Sequence, residues 1–95
     1  MLKRAARVTD LTDHPGALAG PGMPKVLIEG LAAAVVGEKT KHICAFPPPS
    51  GPHPTNNVVV GSTKVFIGGS AAARVDDTCL CGAKITTGAS RVLFG

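Results

Sequence analysis

Lys25-Val26-Leu27-Ile28-Glu29-Gly30-Leu31-Ala32-Ala33-Ala34 returns, 39 residues later, as Lys64-Val65-Phe66-Ile67-Gly68-Gly69-Ser70-Ala71-Ala72-Ala73. Extending the alignment to residues 14–42 over residues 53–81 keeps it gap-free, with 11 of 29 positions identical. A fixed-period echo of this kind decides the fold reading before any propensity does. Each copy carries a short β-branched run that ends at glycine, which reads as a strand. A third, partial echo closes the chain. Gly88-Ala89-Ser90-Arg91-Val92-Leu93-Phe94-Gly95 parallels Gly61-Ser62-Thr63-Lys64-Val65-Phe66-Ile67-Gly68, and Gly22-Met23-Pro24-Lys25-Val26-Leu27-Ile28 is the degenerate first member. Three copies of a Gly-x-x-basic-Val strand predict a pseudo-threefold stack. The expected fold is therefore all-β: one domain over residues 1–95, with copies at about 14–42 and 53–81 and a closing strand segment at 85–95.

Composition agrees with short strands and a thin core. The chain has 95 residues, 12 Gly and 8 Pro, no Trp, no Tyr and 3 Phe. Long helices are disfavoured by that Gly and Pro content. Large aromatic anchors are nearly absent, and a domain of this size often needs a metal, a disulfide or a partner to be stable. Leu31–Val36 and Ala71–Val75 are too short for isolated helices and are read as bends or short extended pieces. Residues 15–24, rich in Gly and Pro, are read as a loop. Val58–Val60, Lys64–Ile67, Lys84–Thr86 and Arg91–Phe94 are read as further short strands, and Phe46–Pro52 as a rigid connector between the copies.

The net charge of +4 is scattered rather than gathered into a basic, aromatic-interleaved patch, so nucleic acid is not an expected partner. Three cysteines, an odd number, argue against a disulfide framework. The N-terminus lacks the apolar run of a signal peptide, and Val26–Val36 is too short and interrupted to cross a membrane. Synthesis in a reducing cytosol is expected.

The same 39-residue register pairs His14 with His53 and His42 with Cys81. Two copies of a two-ligand unit supply four ligands, the number that a closed tetrahedral zinc site needs. Imidazole nitrogen and thiolate sulfur both suit zinc, and a metal staple would restrain a small unfolded chain. Cys79 competes with Cys81, but the register selects Cys81. Cys44 lies two residues after His42, and its aligned partner Ala83 offers no ligand atom. Cys44 and Cys79 are read as small buried hydrophobes. A Cys–His nucleophile could be assembled from Cys79 or Cys81, with Asp10, Asp13, Asp76 or Asp77 as acids. Those carboxylates sit where turns are expected and are read as capping or solvating them. Four protein ligands leave no place for a reactive water, so structural zinc is favoured over a hydrolase.

Ala71-Ala72-Ala73-Arg74-Val75-Asp76-Asp77 resembles the Pro-Ala-Ala-Arg motif of the PAAR-repeat family, with Ala71 in place of proline. Gly61–Gly69 resembles the strand and turn that precede that motif, and Ile85–Val92 its closing strand. The resemblance runs from about Ala6 to Gly95, although the first copy has Val35 where the motif has arginine. It implies a cone of short strands with one structural zinc near the apex, held by His14, His42, His53 and Cys81. It also implies a partner, the blunt end of a trimeric VgrG spike in a type VI secretion system, with one tip per trimer. The tip would be a monomer on its own and not an enzyme, with no stable membrane anchor. It would sharpen the spike, aid membrane penetration and carry effector cargo noncovalently, since the chain ends at its last strand. It would reside in the bacterial cytoplasm before firing and be translocated by the apparatus. A tip or adaptor of a contractile phage-tail-like machine is the alternative context.

Overall fold

The computed structural model describes residues 2–13, 16–44 and 56–95, with the side chain of Cys44 excluded. Every regular element among them is a β-strand: β1 (Lys3–Arg4), β2 (Leu11–Thr12), β3 (Gly16–Ala19), β4 (Met23–Ile28), β5 (Leu31–Ala33), β6 (Gly37–Cys44), β7 (Asn56–Val58), β8 (Phe66–Ile67), β9 (Ser70–Ala71) and β10 (Leu93–Phe94). No helix long and apolar enough to cross a membrane occurs among these residues.

The architecture grows from three Ala-Ala pairs: Ala5-Ala6, Ala33-Ala34 and Ala72-Ala73. All six side chains are fully buried. Their backbones close a ring. The N–H of Ala6 donates to Ala73 O at 3.0 Å, that of Ala73 to Ala34 O at 3.0 Å, and that of Ala34 to Ala6 O at 3.1 Å. A second ring turns with it: Val8 N–H to Ala32 O, Val36 N–H to Ala71 O and Val75 N–H to Arg4 O, at 2.8–2.9 Å. Successive residues of an extended chain face opposite ways. The first alanine of each pair therefore points into a lower core with Ile28, Val35, Ile67 and Ala89. The second points into an upper core with Leu18, Val58, Cys79, Ala83 and Ile85. Alanine is needed here because three strands converge on one axis and leave no volume for a larger side chain.

Gly22, Gly61 and Gly88 mark the same position in the three copies. A Cβ on each would lie 2.7, 2.8 and 2.7 Å from the carbonyl oxygens of Ala33, Ala72 and Ala5, and against a methyl of Val8, Val36 and Val75. The close approach of two backbones excludes any side chain there.

Below the alanine ring lie three two-stranded edges. In β4–β5, Leu27 faces Ala32 and Ile28 faces Leu31. In β8–β9, Phe66 faces Ala71 and Ile67 faces Ser70. Both close through turns with two consecutive positive φ values, 51° and 85° at Glu29-Gly30 and 59° and 84° at Gly68-Gly69. This is the primed turn whose twist matches a hairpin. The third edge pairs β10 with β1, Leu93 facing Arg4 and Phe94 facing Lys3. Here strands from opposite ends of the sequence replace the hairpin, so one turn of the threefold is divided between them.

Each turn leans on a neighbouring edge by different chemistry. The Glu29 carboxylate accepts from the N–H groups of Ser90 and Arg91, at 3.3 and 2.9 Å. Gly95 O accepts from Ser62 Oγ, which also accepts from Lys64 and Val65 N–H. The Met23 methyl covers Gly68, filling the space a Cβ would take.

Above the ring the symmetry ends. A four-stranded antiparallel sheet runs β2-β3-β6-β7. Its β3 lies in the stretch read as a loop from its Gly and Pro content. Tertiary pairing on both sides, to Leu11–Thr12 and to Lys41–Cys44, holds Gly16–Ala19 extended despite those residues. The eight-residue β6 alternates inward Thr40 and His42 with outward Lys39, Lys41 and Ile43.

Candidate metal centre

His42 stands in the middle of β6, paired with Leu18 on β3 and Asn56 on β7. It is fully buried. A buried imidazole needs partners on its nitrogens. Its Nε2 lies 2.8 Å from Thr12 Oγ1, and its Nδ1 lies 3.4 Å from Cys81 Sγ. Cys81 reaches this point from the turn at residues 80–82, where Gly82 takes φ 91°. The turn is tied down by Leu80 N–H donating to Asn57 O and Gly82 N–H donating to Cys79 O.

The geometry suits a shared metal. Zinc bonds of roughly 2.3 Å to sulfur and 2.0–2.1 Å to nitrogen at a tetrahedral angle hold the two ligand atoms about 3.5 Å apart. The thiol and Nδ1 are at that separation. With a metal on Nδ1, the Thr12 hydroxyl would accept from Nε2–H and so fix the tautomer. His14 and His53, the other two ligands expected from the repeat, lie outside the described residues. Among the described residues no group of three or more His, Cys, Asp or Glu side chains converges.

Cys79 is a different kind of cysteine. It is 2% exposed and packs within the upper core. Burial, then the neighbouring Cys81 and Asp13, push its thiol up to about 12, which keeps it protonated.

The candidate acids have structural work. Asp10 and Asp77 are 4% and 1% exposed, rather than solvated. Each closes a four-residue clasp. Asp77 accepts from Arg74 N–H at 2.7 Å, from Nε at 3.0 Å and from Nη2 at 2.8 Å. Asp10 repeats this on Arg7 at 2.7, 3.1 and 2.9 Å. The side-chain hydrogen bond to the aspartate, against the opposing effect of burial, raises the pKa of both arginines further. Thr9 and Asp76 take φ 85° and 76° inside these clasps. In the middle copy Val35 replaces the arginine, Gly37 takes φ 110°, and the Thr40 hydroxyl accepts from Val35 N–H at 3.0 Å. The sequence reading missed the first clasp. Its signal was Ala5-Ala6-Arg7-Val8-Thr9-Asp10 against Ala72-Ala73-Arg74-Val75-Asp76-Asp77, five identities in six, at an offset other than 39. Asp13 and Asp76 are exposed, and Asp13 accepts from Lys84 N–H.

An all-β domain in which one chain closes a threefold ring through Ala-Ala pairs, two of them followed by arginine, with a His–Cys pair above it, is the class these observations define. The PAAR motif family matches residues 8–87, and the chain belongs to that family. The family is associated with spike tips of type VI secretion systems and is structural rather than enzymatic. A comparison with curated proteins returns no match.

Proposed function

We propose that this chain is a zinc-stapled tip that caps the blunt end of a VgrG spike trimer, one copy per trimer. The observation that carries the reading is the ring in which Ala6, Ala34 and Ala73 hydrogen-bond in turn. A trimer end offers three equivalent surfaces, and a monomer that repeats its own backbone three times about one axis can meet all three alike. The β-edges below the ring supply main-chain groups for pairing and apolar side chains for packing. Capping sharpens the spike for membrane penetration and for delivery of effectors carried noncovalently. The chain resides in the bacterial cytoplasm until the apparatus translocates it.

One zinc, held by His14, His42, His53 and Cys81, is part of this proposal. The 3.4 Å separation of His42 Nδ1 and Cys81 Sγ supports it. Four protein ligands close the coordination sphere, so the metal supplies rigidity rather than a reactive water. Light scattering of the chain mixed with VgrG trimer, at low and at about 1 M salt, tests the assembly. One tip per trimer at both salts is expected. A three-to-three complex, or one that falls apart in high salt, contradicts it.

A further inference from the structure

The three lower edges repeat, on their outward faces, a pair of side chains that the fold does not use. Strand alternation sends Val65 and Ile67 inward and Lys64 and Phe66 outward. It sends Val92 and Phe94 inward and Arg91 and Leu93 outward; on the first edge, where an irregular register between Met23 and Leu27 leaves Val26 exposed as well, Ile28 is buried and Lys25 and Leu27 are exposed. Leu27, Phe66 and Leu93 are 64%, 62% and 49% exposed. Lys25, Lys64 and Arg91 are exposed and make no ion pair among the described residues. Single exposed apolar residues are ordinary on protein surfaces. Here a large one stands at the same place in all three copies, each two residues after a cation.

We infer that these pairs form a threefold docking ring for a partner in which each of three identical subunits offers an apolar socket for Leu27, Phe66 or Leu93 and a carboxylate for the neighbouring cation. The inference rests on the tip reading above and adds what selects the partner. A true trimer repeats any carboxylate three times about its axis, so a match at one edge is a match at three. A neutral or basic ring on a wrong trimer is likewise mismatched three times. Electrostatic complementarity of this kind governs association rate and partner choice more than final affinity. The apolar residues hold the complex, and the cations steer it.

The test measures association and dissociation rates with VgrG trimers of the organism that makes the chain, at about 50 mM and 0.5 M salt. It compares the native chain with a ring variant, Lys25→Glu/Lys64→Glu/Arg91→Glu. The control variant, Lys39→Glu/Lys41→Glu/Lys84→Glu, has the same charge change on the upper half. Circular dichroism checks that both variants fold, and Gln replacements at the ring positions serve if the Glu ring variant does not. The ring variant is expected to associate about tenfold or more slowly at low salt, with the gap closing at high salt and the dissociation rate near native. The control is expected to lose much less. Equal rates for ring and control variants overturn the cation ring while leaving the tip reading intact. A native chain that binds no trimer overturns the tip reading itself.

Discussion

The lower ring and the upper sheet solve the same problem, a small domain with few large side chains, in opposite ways. Below, three copies share one backbone scheme, and its hydrogen bonds are almost indifferent to side-chain identity. Ala, Gly and Val suffice because strands approach closely and satisfy one another's main-chain groups. Above, the strands are unequal in length, the core is Leu18, Val58, Cys79 and Ile85, and a buried histidine meets a partly buried cysteine. Repetition stabilises the first region, whereas specific side-chain chemistry stabilises the second.

The largest expected effect falls on the upper region. Removal of the proposed zinc, verified by elemental analysis, should lower the melting temperature by more than about 20 °C, since 1 kcal/mol is worth roughly 4–8 °C in a domain of this size. Acid competes for the same imidazole nitrogens and should act likewise. Cys81→Ser should reduce zinc content measured by elemental analysis, whereas Cys79→Ser should retain it. The reverse pattern would show the repeat register to be wrong near Cys81. An unchanged melt after metal loss would dissolve the contrast between the two regions.

Next comes the clasp. Asp77→Ala removes three hydrogen bonds from a partly exposed Arg74 and should cost about 2–3 kcal/mol in denaturant unfolding. Glu38→Ala, at the corresponding place in the copy that lacks the arginine, should stay within about 0.5 kcal/mol. Equal losses at the two positions would mean that the clasp has no special weight.

A smaller effect probes the ring. Gly61→Ala introduces a Cβ 2.8 Å from Ala72 O and should cost about 1–3 kcal/mol by overpacking. Gly88→Ala meets the same obstacle at 2.7 Å and should match it, because the ring makes the two positions equivalent. Widely different urea midpoints for the pair would break the threefold account.

The smallest effect concerns Glu29. Desolvation pushes its pKa up, but hydrogen bonds from Arg91 and Ser90 N–H and the charge of Arg7 outweigh this and hold it below the ordinary value. A lowered folded pKa gives stability that is full above the unfolded value, about 4.3, and lost as pH falls through the folded one. Glu29→Gln should therefore shift the urea midpoint slightly at pH 7 and not at all in strong acid. A shift that grows in acid would reverse the sign and exclude this role.

Repetition in the sequence by itself determined the class of fold. The 39-residue echo and the Gly-x-x-basic-Val strands are visible because copies of one structural unit keep glycine and small residues where backbones touch. The same echo selected His42 and Cys81, and the structure brings them within 3.4 Å. Other features were decided only in three dimensions. β3 is a strand because neighbours pair with it on both sides, although the Gly and Pro content of residues 15–24 pointed to a loop. The first Ala-Ala-Arg clasp stayed hidden because its copy completes its edge with β10 from the far end of the chain, which breaks the even period. Asp10 and Asp77 read as turn residues, since sequence shows the turn but not the arginine that folds back over the carboxylate and lets both be buried. Local patterning reports what each unit is, and closure of the ring, a contact between the two ends of the chain, decides how the units meet.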